Sequence, residues 1–409
     1  MNNFTQRTAG PGMLLFLLVF DATAAPMLTR ACAAPPLPAP KGQVVRVATE
    51  NQLQFAIRQL TSGSTVILEP GTYKLTGTLG INSGVRDVTI RGKTDSCDDV
   101  VLVGMGMKNE HYGPVPHGFW LANVQKITIA NLTLKEFYYH PIQLEPAAGA
   151  QAPRFYNLHL IDAGQQFIKS SSNPGGVGVN DGIVEYCTFE FTGTARSSYT
   201  GGVDVLHGAN WIVRHNLFKN LRAPVGQLAG PAILMWKGSK NSVIEGNLLL
   251  NVQYGIALGL DPVTTDDHTG GIVRNNFIHR TSAQSGDVGI TINNSAGTQV
   301  LHNTVILNGT YPHAIEYRFP ASKGLEIRYN LCDARIQERD GGQAVVADNV
   351  THAAASWFVN AARGDLHLSA SASAAIDRAR QHPDVTTDYD GDKRPAGSAP
   401  DIGADERGS

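Results

Sequence analysis

The stretch Ile212-Val213-Arg214-His215-Asn216-Leu217 recurs along the chain, with the same alternation of apolar side chains and a polar residue near its end. Its counterparts surround Asn131, Asn157, Cys187, Asn247, Asn276, Asn303 and Asn330. Successive copies are 26 to 31 residues apart, which leaves room for three short strands but not for a helical crossover. The repeat therefore predicts a parallel solenoid in which each complete turn, which we call a coil, lies about 4.8 Å above the last.

The recurrent asparagine predicts a ladder of side chains inside this solenoid. A buried amide can hydrogen-bond to the coils above and below, and so satisfies groups that no sheet partner reaches. Cys187 replaces asparagine in one coil and is expected to be a small buried residue. Cys187 and Cys332 lie five coils apart, about 24 Å at this rise, and cannot bond to each other. With Cys97 they make an odd number, which implies no complete disulfide framework.

A second apolar column precedes each asparagine, as in Val203-Asp204-Val205 and Ile233-Leu234-Met235. Three strands per coil, with a polar ladder between the second and third, resemble the right-handed parallel β-helix of the pectate-lyase-like superfamily. The resemblance covers residues 45–350 and implies an all-β, single-stranded right-handed parallel β-helix solenoid of about 10–12 turns. Residues 64–73 are similar to the first coil of such proteins, and residues 388–406 to a terminal segment common in bacterial extracellular β-helix proteins.

The beginning of the chain predicts export. Arg7 followed by the apolar run 13–20 and then by small residues is typical of a signal peptide, which we place at residues 1–33. The apolar run is too short to cross a bilayer, which needs about 20 residues, so no transmembrane segment is expected. The protein is expected in the periplasm or outside the cell. The further divisions are a Pro-rich spacer at 34–44, the β-helix at 45–350, and a segment at 351–409 that caps its open end.

Composition narrows the function classes. Hydrophobic residues make up 42% of the 409, enough for a large core, which excludes a disordered chain. The 33 basic and 35 acidic residues form no basic stripe, so a nucleic-acid partner is not expected. The partner implied by the resemblance is a polysaccharide, and we expect a monomer.

Outward positions on the first strand of each coil can be read off because side chains two residues apart share a face. The first row is Gln143, Lys169, Asp204, Leu234, Ala257, Thr291 and Glu316, and the neighbouring row is Glu145, Ser171, Leu206, Trp236, Gly259, Asn293 and Arg318. His207 and Lys237 follow at the strand ends. By the resemblance, this face and its flanking loops form the saccharide-binding groove.

Charge concentrates on four consecutive coils of that face, and it suits an anionic sugar. Eliminative cleavage of a uronate needs a cation for the carboxylate, a base for the adjacent proton and an acid for the leaving oxygen. Lys169 and Lys237 are candidates for base and cation in an unassigned order, and His207 is the alternative base. Arg196 or Arg222 would clamp the carboxylate, while Trp236 would stack on a sugar ring.

The remaining polar residues of the face are expected to bind substrate. Gln143, Glu145 and Asp204 lie in the same four coils, and a second patch of Asn293, Glu316 and Arg318 lies about four coils from Asp204. The structural alternatives are a surface ion pair of Lys169 with Asp204, a paired edge of Glu316 with Arg318, and a satisfied turn histidine at His207.

Two acidic segments raise the possibility of Ca²⁺. The insertion 261–268 contains Asp261, Asp266 and Asp267, which offer oxygen ligands, although exposed turns use the same residues. Asp388, Asp390 and Asp392 resemble part of a calcium loop without its glycine and distal glutamate. No cofactor is otherwise expected, and the metal ligands stay undefined.

The leading hypothesis is a lyase that acts on an acidic, uronate-containing polysaccharide. The first alternative is a non-catalytic β-helix that binds carbohydrate at a surface, in the manner of an adhesin. The second alternative is a uronate C5-epimerase, which shares the proton abstraction. A two-carboxylate glycosidase is disfavoured because Asp204 has no second aspartate near it on this face.

Overall fold

The computed structural model describes residues 34–173, 175–263 and 266–408. The predicted signal peptide lies outside these residues. In chain order the first half contains β1 (Val44–Val47), α1 (Glu50–Arg58), β2 (Thr65–Leu68), β3 (Gly71–Lys74), β4 (Leu79–Ile81), β5 (Val85–Arg86), β6 (Thr89–Gly92), β7 (Val100–Val103), β8 (Phe119–Leu121), β9 (Val124–Gln125), β10 (Thr128–Phe137), β11 (Ile142–Leu144), β12 (Arg154–Ala163), β13 (Ile168–Ser170), β14 (Ile183–Glu185), β15 (Thr188–Glu190), β16 (Val203–Leu206), β17 (Ile212–Arg214) and β18 (Leu217–Lys219).

The second half continues with β19 (Ile233–Trp236), β20 (Ser239–Lys240), β21 (Val243–Glu245), β22 (Leu248–Leu250), β23 (Ile256–Leu258), β24 (His268–Thr269), β25 (Ile272–Arg274), β26 (Phe277–His279), β27 (Ile290–Asn293), β28 (Ser295–Ala296), β29 (Gln299–Leu301), β30 (Thr304–Ile306), β31 (His313–Arg318), β32 (Leu325–Arg328), β33 (Leu331–Cys332), β34 (Arg335–Arg339), β35 (Ala344–Ala347), β36 (Phe358–Asn360) and β37 (Asp365–Leu368). Short 3₁₀ helices occur at Pro146–Ala148, Ala355–Trp357 and Ala361–Arg363.

Most of these strands stack into three parallel columns, one for each strand of a coil, while the short strands β20-β24-β28 and β5-β9 form two small parallel sheets of their own. Column 1 is the ten-stranded sheet β4-β8-β11-β13-β16-β19-β23-β27-β31-β34. Column 2 runs β1-β2-β6-β10-β12-β14-β17-β21-β25-β29-β32-β35, and column 3 runs β3-β7-β10-β12-β15-β18-β22-β26-β30-β33, with the long strands β10 and β12 belonging to both. The hairpin β36–β37 is antiparallel. Three strands per coil confirm the predicted solenoid.

Apolar side chains of equivalent strands stack on one another inside the solenoid. In column 1, Val203, Ile233, Ile256 and Ile290 pair in register from coil to coil and are fully buried. In column 3 the rings of Phe189 and Phe218 stack with centroids 4.5 Å apart. Because β-branched and aromatic residues pack well on a pleated surface, these rows stabilise the short strands.

The predicted asparagine ladder lies between columns 2 and 3. Each side-chain amide donates to the amide oxygen of the next coil at 2.9–3.0 Å in the series Asn216, Asn247, Asn276, Asn303, Asn330 and Asn349. Cys187 interrupts the ladder because it offers no amide oxygen to the coil before it. Asn157 in that coil instead donates to Asn131 Oδ1 at 2.9 Å, and Asn157 Oδ1 is buried without a hydrogen-bond partner among the described residues.

The cysteines follow the prediction in part. Cys187 and Cys332 are free and buried. Burial raises the pKa of Cys187 to about 12, so its thiol stays protonated and unreactive. Cys97 is disulfide-bonded, which the odd count did not predict, and its partner lies outside the described residues.

Both ends of the described chain pack against the solenoid. Helix α1 begins at the N-cap Thr49 and buries Leu53 and Ile57 on the first coil. The predicted spacer is not a free linker at its described residues, because the carbonyl of Pro35 accepts from Tyr156 Oη at 2.5 Å and that of Pro38 from Arg91 at 3.0 Å. No helix in the described ranges is long and apolar enough to span a membrane.

The C-terminal segment corrects the prediction of an end cap. It lies along the side of the solenoid, across the outer face of column 3, where Leu248, Phe277 and Leu331 form one cluster with its residues. Tyr389 stacks on Phe277 with centroids 4.2 Å apart, and the amide of Ala404 donates to Thr304 at 2.9 Å. The segment takes this position because the outer side of column 3 is apolar over several coils and needs cover.

Candidate functional site

The central row of column 1 has the register predicted from the sequence. Gln143, Lys169, Asp204, Leu234, Ala257, Thr291 and Glu316 occupy equivalent positions in seven consecutive coils. Most of the row is buried, with Lys169 7%, Asp204 4% and Glu316 2% exposed. We call this outer side of column 1 and its flanking loops the groove.

Lys169, Asp204 and Trp236 form one connected unit on the floor of the groove. Lys169 Nζ lies 2.6 Å from Asp204 Oδ2, and Trp236 Nε1 donates to Asp204 Oδ1 at 2.9 Å. The alternative that Lys169 pairs with Asp204 is therefore borne out, but the pair is buried rather than on the surface. Asp204 therefore fixes the orientation of the half-buried indole, while Lys169 is neutralised by its partner.

Gln143 continues this unit into the preceding coils. Its amide nitrogen donates to Glu145 Oε1 at 2.9 Å and to Ser171 Oγ at 2.8 Å. The hydrogen bond from Gln143 to Ser171 links one coil to the next. Gln143 and Glu145 thus lie together, as predicted from their spacing.

His207 and Lys237 leave the groove strands at equivalent corners of consecutive coils. Both residues have a left-handed backbone with φ of 54°, and His207 N donates to Trp236 O at 3.1 Å. Lys237 pairs through Nζ with Asp261 and lies 5.2 Å from the Trp236 ring centroid. A cation, an imidazole and an indole plane therefore meet at one place.

The imidazole of His207 is neutral near pH 7. Burial lowers its pKa, and the positive charge of Lys237 lowers it further. Its Nδ1 is buried and has no hydrogen-bond partner among the described residues, so the alternative of a fully satisfied turn histidine is not supported. Gly176 faces the ring closely enough that an added Cβ would lie 3.3 Å from Nε2.

The two predicted arginine clamps have different surroundings. Arg196 stacks on Tyr138, with the guanidinium 3.9 Å from the ring centroid, and donates to its hydroxyl at 2.7 Å. Arg222 donates to the backbone carbonyls of Asn251 at 3.2 Å and Ser285 at 2.6 Å. Arg222 thus joins loops of different coils, which favours Arg196 of the two candidate carboxylate clamps.

Aromatic and histidine side chains near Arg196 were not singled out from the sequence. The rings of His117 and His140 stack with centroids 5.6 Å apart, and Tyr112 stacks on Tyr138 at 4.5 Å. Burial lowers the pKa of His140 to about 3. The signal was available in the run Phe137-Tyr138-Tyr139-His140, directly before a groove strand.

The acidic insertion does not arrange its described carboxylates around a common cation position. Asp267 is fully buried and accepts from the backbone amides of Lys237, Leu260 and Asp261, each at 2.6 Å. Asp261 pairs with Lys237, and Asp266 is exposed. Asp267 therefore positions the Lys237 corner, and the fit to Ca²⁺ is poor.

The second acidic segment is likewise structural at its first residue. Asp388 accepts from the backbone amides of Asp390, Asp392 and Glu406 at 2.8–3.0 Å. Asp390 turns instead to His367, whose Nε2 lies 2.8 Å from its Oδ2. The three aspartates, which only partly resemble a calcium loop, therefore do not converge as calcium ligands.

A second polar centre surrounds Glu316 in the last coils of the groove. Glu316 accepts from Tyr311 Oη at 3.1 Å, His313 Nδ1 at 2.6 Å and Arg339 Nη1 at 3.0 Å. Arg318 pairs with Asp340 at 2.7 Å instead, so the expected pairing of Glu316 with Arg318 is wrong.

Asn293 lies in the same part of the groove, and its Oδ1 accepts a hydrogen bond from the Thr291 hydroxyl at 3.0 Å. Sequence reasoning missed Tyr311, His313 and Arg339. Arg339 could have been found by extending the neighbouring row one coil further, because it pairs in register with Arg318.

The sequence model described as "Right handed beta helix region" matches residues 117–330, which is more than half of the chain. The chain therefore belongs to the right-handed β-helix family. This confirms the suspected superfamily and the predicted all-β, right-handed parallel fold. No curated protein sequence matches the chain.

Several solved structures are similar at low identity. An alginate lyase from Paenibacillus sp. str. FPU-7 is 13% identical, with a TM-score of 0.41 over 75% of this chain and 99% of that one. The surface adhesin PfbA of Streptococcus pneumoniae is 13% identical, with a TM-score of 0.46 over 73% of this chain and 86% of the adhesin. The periplasmic alginate epimerase AlgG is 13% identical, with a TM-score of 0.40 over 75% of this chain and 82% of the epimerase. Likeness this remote carries no functional argument, so function must be argued from the side chains.

Proposed function

We propose that this protein is an exported enzyme that binds an acidic polysaccharide along the groove and cleaves it by β-elimination. The observation that carries the proposal is the neutral His207 beside the Lys237 cation and the Trp236 ring, on adjacent coils. Such a reaction requires a base and a cation at one uronate unit, and the indole offers a surface on which the sugar ring can stack.

The geometry favours a particular division of roles. Lys169 is held by Asp204 in a buried ion pair, so we assign it to positioning Trp236 rather than to proton transfer. His207 is the better base because its imidazole is already unprotonated near pH 7. Lys237, whose side chain is one-third exposed, neutralises the sugar carboxylate.

The proposed reaction is a β-elimination in which His207 serves first as base and then as acid. His207 takes the proton from the carbon next to the carboxylate, and the electrons of that C–H bond form a carbon–carbon double bond. The bond from the neighbouring carbon to the glycosidic oxygen breaks at the same time. The imidazolium returns its proton to the leaving oxygen, which restores the enzyme.

Other groove residues would bind neighbouring sugar units. Gln143 and Glu145 offer a donor and an acceptor beside Lys169, and Arg196 with Tyr138 offers a cation on an aromatic surface. Asn293, Glu316 and Arg318 line the far end. We assign Arg222 a loop contact, and we propose a monomer because one groove contains the complete set of groups.

The test is cleavage of alginate, pectate and glycosaminoglycans, followed by the ultraviolet absorbance of the unsaturated product. We expect His207→Ala and Lys237→Ala each to lower kcat/KM by about 10²-fold or more. Lys240→Ala is the matched control, since Lys240 is exposed three residues further along. Undiminished turnover in both groove variants would overturn the assignment.

Binding without cleavage is the second candidate. The pairing of Lys169 with Asp204 and of Lys237 with Asp261 favours it, because each cation already has a counterion. Glycan binding by the wild-type protein, lost in Trp236→Ala, with no unsaturated product would establish this function. An epimerase would instead exchange the sugar proton with deuterated water without breaking the chain.

A further inference from the structure

The centre around Glu316 contains the groups for acid–base chemistry in its own right. Glu316 is 2% exposed and accepts hydrogen bonds from Tyr311, His313 and Arg339. It lies four coils from Asp204 in the same row, about 19 Å at the strand spacing. One buried carboxylate therefore orients three side chains that are themselves partly exposed.

The contact with Glu316 determines the tautomer of His313. An ionised carboxylate can only accept, so the Nδ1 that lies 2.6 Å from Glu316 Oε1 carries the hydrogen. In the neutral imidazole, Nε2 is then the atom with the free electron pair. The side chain is 19% exposed, so Nε2 belongs to a ring that a substrate can approach.

Tyr311 and Arg339 supply the two complementary groups. Burial raises the pKa of Tyr311 to about 12, with a contribution from the negative charges of Asp287 and Glu316, so its hydroxyl keeps its proton near pH 7. Arg339 has a side chain that is 36% exposed and uses Nη1 for Glu316. The other guanidinium donors can face an anion.

We propose that His313, Tyr311 and Arg339, held by Glu316, form a second eliminative centre for a uronate unit of the same glycan. The inference rests on the proposed function of the groove. His313 Nε2 takes the proton next to the carboxylate, a double bond forms, and the bond to the glycosidic oxygen breaks. Tyr311 gives its proton to that oxygen and recovers one from the His313 imidazolium, while Arg339 neutralises the carboxylate.

The kinetic test uses the full chain in a His207→Ala background. We expect this variant to keep a residual kcat/KM of about one-hundredth of the wild-type value or less, supplied by the second centre, and the further change Tyr311→Phe to lower that residual value by about 10²-fold or more. Tyr317→Phe is the matched control: like Tyr311 it packs against the solenoid core, but its hydroxyl is not among the groups that donate to Glu316. Unfolding midpoints verify that all variants are folded.

The results of the kinetic test distinguish failure of the second centre from failure of the proposed function. Complete loss of cleavage in His207→Ala, with wild-type turnover in Tyr311→Phe, would overturn the second centre and leave the proposed function intact. Remaining cleavage that Tyr311→Phe does not change would also overturn it. No cleavage by the wild type would defeat the proposed function and the second centre together.

A spectroscopic measurement separates chemistry from a structural role. In ¹⁵N-histidine-labelled protein, we expect the His313 resonances of the Nδ1–H tautomer, and a shift of Nε2 when uronate oligosaccharides are added. The alternative Nε2–H tautomer, or resonances that glycan leaves unchanged, would contradict the proposal. Tyr317→Phe should leave these resonances as they are.

Discussion

The outer faces of columns 1 and 3 belong to the same coils but have opposite chemistry. Column 3 points Leu248, Phe277 and Leu331 outward into a cluster with the C-terminal segment. Column 1 points Lys169 and Asp204 outward at the equivalent depth of its strands. Inward positions of both columns are apolar, so the solenoid itself does not decide what its outer faces carry.

This difference shows how one fold separates stability from function. An apolar outer face must be removed from water, and here the chain supplies its own cover. A polar outer face with paired charges can remain open to a ligand that replaces water. The two faces are therefore expected to differ in energy as they do in composition.

The largest effect is expected on the covered face. Phe277→Ala removes a fully buried ring that stacks on Tyr389, and we expect it to lower the free energy of unfolding by about 3–5 kcal/mol. Urea unfolding measures the change. Val359→Ala, at a 62% exposed position of the C-terminal segment, should change the free energy of unfolding by no more than about 0.5 kcal/mol. A loss below 1 kcal/mol (about the cost of a surface change) in Phe277→Ala would show that the segment docks without this contact.

The two regions should also respond to pH in opposite directions. Burial lowers the pKa of His268 to about 3, from 6.5, so the unfolded chain binds its proton first. Stability from this solenoid histidine is therefore present above pH 6.5 and is lost as the pH falls below it. We expect His268 to contribute about 1.4 kcal/mol per pH unit to the slope of the free energy of unfolding against pH, measured by urea unfolding as the decrease in that slope in His268→Gln.

His367 in the C-terminal segment behaves in the reverse way. Burial alone would lower its pKa, but hydrogen bonds to Asp390 and Asp365 raise it to about 9. Its stabilisation is complete below pH 6.5 and is lost as the pH rises towards 9. Burial raises the pKa of Asp405 to about 6, which adds a loss of stability as the pH rises from about 4 to 6. A wild-type free energy of unfolding that does not fall between pH 6.5 and 9 would contradict this pairing. So would a fall of the same size in His367→Gln.

The smallest effect is expected at the edge of the groove. Arg318 pairs with the exposed Asp340, and Arg318→Gln should change the free energy of unfolding by no more than about 1 kcal/mol. If Arg318 contacts substrate, KM rises while kcat is unchanged. An unchanged KM would remove Arg318 from the binding surface and leave its pair with Asp340 as its role.

Local patterns predicted more of the fold than of the site. The ladder from Asn216 to Asn330 could be predicted because its members recur at a nearly constant interval. Asn349 was missed because it follows Asn330 after only 19 residues. The central row was predicted from the two-residue period of strands, which holds wherever a short strand is correctly placed.

The contacts within the site were less accessible. Nothing in the spacing predicts that Asp204 binds both Lys169 and Trp236, or that Asp267 holds the Lys237 corner. These contacts depend on side-chain rotamers and on loops of different lengths. His313 was missed for the same reason, since it precedes Glu316 by three residues and reaches it only through its ring.

By itself, the sequence determined the repeat, the inward columns and the identity of the groove residues, because strand periodicity and stacking act over a few residues and repeat every coil. Only the tertiary structure decided which charges pair, which histidine stays neutral and which outer face the C-terminal segment covers. Those outcomes depend on distances between atoms that are far apart in the chain, and electrostatic energies and burial change steeply with such distances.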